Sequence, residues 1–228
     1  VPDEVTGGRD TVGMRVPDEP VALSLLRAFG GAIAAPSANR FGRVSPTTAD
    51  HVRNDLGDDV DMILDGGPCA LGLESTIVDC SRAVSVILRE GGVPRERLEA
   101  VVGHPIAVAS GDDAAGTAPG TLATHYAPDA RVELVGASEV VSRAAAHLAA
   151  GLRVGVLAEK PPVELPAAVV VLDAPADADE YARVLYARLR EADARTLDVL
   201  LAVAPSAVGI GAAVVDRLRR AATRAPVR

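Results

Sequence analysis

The sequence predicts an α/β protein built in two parts that are joined by a linker. Three observations carry this reading. In residues 129–228, apolar runs of strand length alternate with helical stripes, which implies a parallel, doubly wound sheet. In residues 1–103, shorter apolar runs each end in a small polar cluster, which is where open α/β sheets place ligand-binding groups. Between them, residues 110–120 are small, polar and Gly-rich, so 104–128 reads as a tether.

The first part begins with 11–16, Thr-Val-Gly-Met-Arg-Val, which alternates like a strand. Asp18 suits a helix N-cap and Pro20 the first helical turn. Val21, Leu25, Leu26 and Phe29 recur at helical spacing until Gly30 and Gly31 stop them. Residues 32–35 read as a short buried strand. Ser45-Pro46-Thr47 opens a second helix, carrying Val52 and Leu56 and ending near Gly57. Residues 62–64 read as a strand that runs into the turn Asp65-Gly66-Gly67-Pro68. Strands follow at 76–78 and 84–88, then a helix over 94–102. In the second part, strands are expected near 131–135, 153–158, 168–172 and 198–203. Helices are expected near 138–150, 178–192 and 207–222. Gly209 and Gly211 read as a plain strand-to-helix turn, since the wider dinucleotide glycine pattern is absent.

Composition narrows the function classes. Of the 228 residues, 49% are hydrophobic and 24% charged, ordinary for a globular protein. A net charge of -8 argues against broad electrostatic adhesion to nucleic acid, although a local arginine patch stays open. Cys69 and Cys80 form no redox or metal motif, so a reducing, cytoplasmic setting is expected. No apolar run reaches membrane-span length, so no membrane partner is expected. His51, His104, His125 and His147 are scattered without metal-ligand spacing, and Asp58, Asp59 and Asp61 suit a solvated helix end, so no metal site is expected. Lys160 is the only lysine. The chain opens on Val1, one short loop before the 11–16 strand, and this reads as a fragment whose N-terminal segment is missing.

Several residues are candidates for chemistry. Ser37 and Asn39 follow an apolar run; taken alone they fit either backbone capping in a turn or orientation of a small polar ligand. Arg15 and Arg89 each end an apolar run, as solvated strand-end arginines or as forks for a carboxylate or phosphate. Thr47 suits a helix N-cap. Ser75 sits where a strand begins, in Gly72-Leu73-Glu74-Ser75-Thr76.

The order of these clusters is the specific signal. The segments 35–42, 72–79 and 88–92, followed by Pro119-Gly120 and His125-Tyr126-Ala127-Pro128, resemble the Sua5 branch of the YrdC/Sua5 family, the threonylcarbamoyl-AMP synthases. Ser37-Ala38-Asn39 matches the second half of a two-part family signature, Lys-x-Arg followed by Ser-x-Asn; the first half is not in this chain. The resemblance implies a partial YrdC-like twisted α/β catalytic domain over 1–103 and a covering linker over 104–128. It implies a Rossmann-like doubly wound Sua5 C-terminal domain over 129–228. The implied reaction joins L-threonine, bicarbonate and ATP into threonylcarbamoyl-adenylate, releasing pyrophosphate and water, for t6A37 modification of tRNA. ATP is then a substrate, with Mg²⁺ carried by it.

By the same resemblance Arg15, Ser37 and Ser75 fall on the threonine side. Thr11, Asn39, Thr47, Arg89 and Tyr126 fall on the ATP side. No residue is assigned as a catalytic nucleophile. Downstream partners are the proteins that transfer the threonylcarbamoyl group to tRNA, and tRNA or double-stranded RNA contact is a further implied possibility. Two other readings are weighed: an RNA-binding module without synthase activity, which the charge of -8 disfavours, and a carbamoyl-transfer relative, which residues 119–228 disfavour. The chain as given is expected to be a poor synthase alone, because the Lys-x-Arg cations lie outside it.

Overall fold

The computed structural model describes residues 1–109, 118 and 126–223. Two sheets organise the molecule. The first has three strands: β1 (Ile77–Asp79) pairs antiparallel with β2 (Val86–Arg89), and β2 pairs parallel with β3 (Ala107–Val108). The second is parallel throughout, with β4 (Arg131–Leu134), β5 (Val154–Leu157), β6 (Val170–Val171) and β7 (Val199–Ala202) in the order β4-β7-β5-β6.

The second sheet is doubly wound, as the alternation of strands and helices predicts. Along β7 the side chains alternate between two cores: Val199 and Leu201 face one, Leu200 and Ala202 the other. Helix α5 (Val140–Ala149) closes the first core with Val140 and Ala144. Helices α6 (Ala178–Ala194) and α7 (Gly211–Ala222) close the second. On α6 the residues Tyr181, Leu185, Leu189 and Ala192 form one buried stripe, spaced as a 3.6-residue period requires. Burying each such leucine contributes about 1.5–3 kcal/mol. Asp177 starts α6, its carboxylate accepting the Glu180 N–H at 2.8 Å.

The first part is built differently. Helices α1 (Asp3–Thr6), α2 (Pro20–Phe29) and α3 (Ala49–Leu56) bury no residue fully, and α4 (Arg95–Val102) follows the same pattern. The helix bounds match the sequence signals closely, but two caps shift by one residue. Glu19, not Asp18, caps α2, accepting from the N–H groups of Val21 and Ala22. Thr48, not Thr47, caps α3 through the His51 N–H at 3.2 Å. In both cases the neighbouring residue also carries a suitable oxygen, and backbone geometry selects between them.

Three expected strands do not form ladders. Segments 11–16, 32–35 and 62–64 have no hydrogen-bonded neighbour strand among the described residues. Alternation favours an extended backbone, but a strand also needs a partner for its N–H and C=O groups. Met14, Val16 and Met62 stand 90%, 89% and 76% exposed as a result. Conversely, β3 lies within the stretch read as linker and adds a strand to the first sheet. Among the described residues no helix is long and apolar enough to cross a membrane.

The two parts meet across α6, α7 and the loops at 43–47 and 72–75. Arg190 on α6 bridges to Asp55 on α3 and donates to the carbonyls of Val44 and Ser45. Arg43 pairs with Asp129. Gly72 lies against α6 at φ 66°, where a Cβ would sit 2.2 Å from the Arg183 carbonyl oxygen. Only glycine gives both that left-handed backbone and that approach.

Candidate functional site

The site is assembled where the two parts touch. Glu74 is its hub. Its carboxylate accepts from Ser45 Oγ at 2.7 Å, from the Tyr186 hydroxyl at 2.8 and 3.0 Å, and from Arg217 Nε at 3.1 Å. Burial alone would push the Glu74 carboxyl up. The Arg217 guanidinium and the Ser45 and Tyr186 hydroxyls outweigh that and hold it below the usual carboxylate range.

Arg217 comes from α7 and its side chain is 0% exposed. Besides Glu74 it reaches the Glu90 carbonyl at 2.9 Å and Asp216 at 2.5 Å. Its guanidinium carbon lies 5.1 Å from the centre of the Tyr126 ring, and Tyr126 stacks on Tyr186 with centroids 5.4 Å apart. Burial opposes the Arg217 charge, but the carboxylates of Glu74 and Asp216 hold it, and its pKa is raised. Burial pushes the Tyr186 hydroxyl well above its ordinary value, with Glu74 adding to the effect, so it donates to Glu74 as a neutral phenol.

Next to this cluster, Glu74 is followed by Ser75, and Arg89 precedes Glu90. Arg15 Nη1 donates to Ser75 Oγ at 3.3 Å, and Arg89 donates twice to the Ser75 carbonyl, at 2.7 and 3.3 Å. Burial lowers the Arg89 pKa against the pull of Tyr126, with the neighbouring Arg217 charge acting in the same direction as burial. The segments around Ser75 and Arg89 are laced together. Gly92 N–H donates to the Glu74 carbonyl at 2.9 Å, and the Thr76 hydroxyl donates to the Val93 carbonyl at 2.6 Å. A Cβ on Gly91 would lie 2.3 Å from the Glu74 carbonyl oxygen, so glycine is needed there for the close approach.

The Ser-x-Asn loop adjoins the same region. Asn39 donates to the carbonyls of Arg40 and Arg43, and its Oδ1 is buried without a hydrogen-bond partner among the described residues. The Gly42 carbonyl accepts from Ala127 N–H at 3.1 Å, which ties the end of the linker to this loop. Ser37 and Thr11 are exposed.

The structure therefore brings Arg15, Ser75, Arg89 and Tyr126 together, with Asn39 on the adjoining loop. It joins neither Thr11 nor Ser37 to them by a hydrogen bond among the described residues. Thr47 is buried, with its hydroxyl 3.2 Å from His51 Nδ1. Tyr126 is 1% exposed and holds φ 64°, an uncommon backbone for a bulky residue. His125, Pro119 and Gly120 lie outside the described residues, as does most of the expected cover over 104–128. Among the described residues, no three His, Cys, Asp or Glu side chains are grouped to hold a metal ion.

Sequence reasoning missed Glu74, Tyr186 and Arg217. Arg217 did leave a signal. It occupies a core position of α7, beside Val214, Leu218 and Ala221, where a charge is expected only if it is paired.

Comparison with known proteins adds a second line. A family model described as Telomere recombination (Sua5_yciO_yrdC) matches residues 1–91. One described as Threonylcarbamoyl-AMP synthase, C-terminal domain, matches residues 93–223. The chain is 40% identical to the threonylcarbamoyl-AMP synthase of Bacillus subtilis, over 96% of this chain and 65% of that protein. It is 39% identical to the Pyrococcus abyssi synthase, over 97% of this chain and 66% of that one. It thus spans about two thirds of the length of these curated relatives. The structure of P. abyssi Sua5 complexed with L-threonine superposes with a TM-score of 0.87 at 37% identity, covering 97% of this chain and 67% of that one. A P. abyssi Sua5 variant with a His and a Tyr replaced by Ala superposes with a TM-score of 0.86 at 36% identity, covering 97% and 66%.

Proposed function

The chain belongs to the Sua5/YrdC family, in its Sua5 branch, and from that premise we propose that it forms the threonine-binding wall and part of the nucleotide-binding wall of a threonylcarbamoyl-AMP synthase. The observation that carries this is the convergence on Ser75. Arg15 meets its hydroxyl at 3.3 Å and Arg89 its carbonyl at 2.7 Å. Two guanidinium groups beside a hydroxyl at a strand start suit a ligand with a carboxylate, a hydroxyl and nearby phosphates. L-threonine with ATP has that chemistry.

In this reading, bicarbonate and threonine give a carbamate and water. A carbamate oxygen then attacks the α-phosphorus of ATP and pyrophosphate leaves. No protein nucleophile is required. The chain's work is to hold two reactants in line, which contributes roughly 7–11 kcal/mol in favourable cases, and to neutralise charge. Arg15, Ser37 and Ser75 orient threonine. Thr11, Asn39, Thr47, Arg89 and Tyr126 take the nucleotide, and Mg²⁺ enters with it as part of the substrate. The unpartnered Oδ1 of Asn39 supports its assignment, since a buried acceptor left alone costs about 1–3 kcal/mol and a ligand donor would remove that cost. The Thr47 role requires its hydroxyl to turn from His51. The adenylate product would pass to the proteins that act on tRNA.

The test is calorimetric titration of L-threonine and of ATP·Mg²⁺, with pyrophosphate release measured when bicarbonate is added. Ser75→Ala should weaken threonine binding, and Asn39→Ala should weaken ATP binding, each without a matching fall in melting temperature. Unchanged binding in both, or binding lost only through unfolding, would sink the assignment.

A further inference from the structure

We propose that Arg217, on the last helix of the C-terminal domain, is a positioning residue for the ligand-binding groups of the first part. This rests on the reading of Ser75 and Arg89 given above. One guanidinium holds both of the segments that carry them, at the residues immediately adjacent. Through Nε it holds Glu74, which precedes Ser75, and through Nη2 it holds the carbonyl of Glu90, which follows Arg89. Its face covers the ring of Tyr126, a third candidate. Arg89 in turn bonds the Ser75 carbonyl, so the two segments are fixed relative to each other at two levels.

The residue type fits the task. Arginine offers five donors in a rigid plane, enough to serve Glu74, Asp216 and a backbone carbonyl at once. A lysine ammonium is a point charge on a flexible stem and cannot hold these three directions together. A role in general stability alone does not require the bonds to fall next to Ser75 and Arg89. Arg190 shows the contrast. It also crosses between the parts and pairs with Asp55 at 2.5 and 2.9 Å, with its side chain 17% exposed, yet it bonds directly to neither segment.

The experiment compares Arg217→Lys with Asp55→Asn in the full chain. Asp55→Asn weakens the other cross-domain pair and serves as the stability control. Hydrogen exchange of the ligand-free protein is followed at 72–76 and 86–91, and L-threonine is titrated into each variant. Arg217→Lys should speed exchange in both segments and raise the threonine dissociation constant about tenfold, the equivalent of roughly one lost hydrogen bond to the ligand. Asp55→Asn should lower the melting temperature and change neither reading. If Arg217→Lys does not fold, Glu74→Gln weakens the same clamp from its other end and must loosen the same two segments. Wild-type exchange at 72–76 and 86–91 in the Arg217 or Glu74 variant overturns the proposal, as does equal loosening in Asp55→Asn. Should the wild type take up no threonine while Arg217→Lys still loosens both segments, the assignment of Ser75 fails and the positioning role stands.

Discussion

Replacing Glu74 by Gln keeps the shape of the side chain and removes its charge, so no cavity term enters. The carboxylate accepts from Ser45, Tyr186 and Arg217 at 2.7, 2.8 and 3.1 Å. Hydrogen bonds to a charged group contribute about 1.5–3 kcal/mol and neutral ones about 0.5–1.5, so three weakened bonds cost roughly 3 kcal/mol. Asp216 continues to pair with Arg217, which reduces that loss to about 2–3 kcal/mol. In a chain of this size that corresponds to a fall of roughly 5–10 °C in melting temperature. The pH dependence gives the sharper test. The folded pKa of Glu74 is depressed, so its stabilising contribution is complete above the ordinary glutamate value of about 4.3 and is lost as pH falls through the lower, folded value. Urea unfolding followed by circular dichroism at neutral and acid pH should show the gap between wild type and Glu74→Gln closing on acidification. A gap that stays constant with pH, or is absent at neutral pH, would refute the argument that the ionised carboxylate holds the cluster together.

Other consequences follow from single contacts. Tyr186→Phe removes a donor to Glu74 and should cost about 1 kcal/mol in urea unfolding, with a clear coupling to Glu74→Gln in a double-mutant cycle; strict additivity would count against a shared network. Gly72→Ala puts a Cβ against the Arg183 carbonyl and strains φ, so a loss of about 2–4 kcal/mol is expected in the same assay, and a neutral effect would mean that the loop does not press on α6. Thr48→Ala should cost about 1 kcal/mol and speed hydrogen exchange over 49–56, whereas Thr47→Ala should leave the start of α3 protected.

What could be read from the sequence divides along physical lines. The C-terminal domain was legible because each of its elements carries its own period. The stripe Tyr181, Leu185, Leu189 on α6 and the alternation along Val199 to Ala202 need no outside information. Segments 11–16, 32–35 and 62–64 show why the first part was less so. Local alternation reports a preference for extended backbone, whereas a strand depends on a partner elsewhere. Within the candidate site, Arg15 and Arg89 follow apolar runs and Ser75 precedes one, which leaves structural and ligand roles equally open; the family resemblance, not the local pattern, singled them out. Glu74, Tyr186 and Arg217 lie up to 143 positions apart, and their pairing depends on how two units dock. A charge at a core position of α7 marks Arg217 as needing a partner, but nothing local names Glu74.

The strand order of the second sheet sets a schedule for synthesis. The last strand made, β7, lies between the first, β4, and the second, β5. With neighbouring strands about 4.8 Å apart, β4 and β5 stand roughly 10 Å from each other, and their facing edges have no partner until β7 slides in between. A nascent chain on the ribosome therefore carries an open slot until Ala202 has emerged, and Arg217 can reach Glu74 only after that. A ribosome stalled before β7 would display two unsatisfied strand edges, the kind of surface that chaperones hold and neighbouring chains invade.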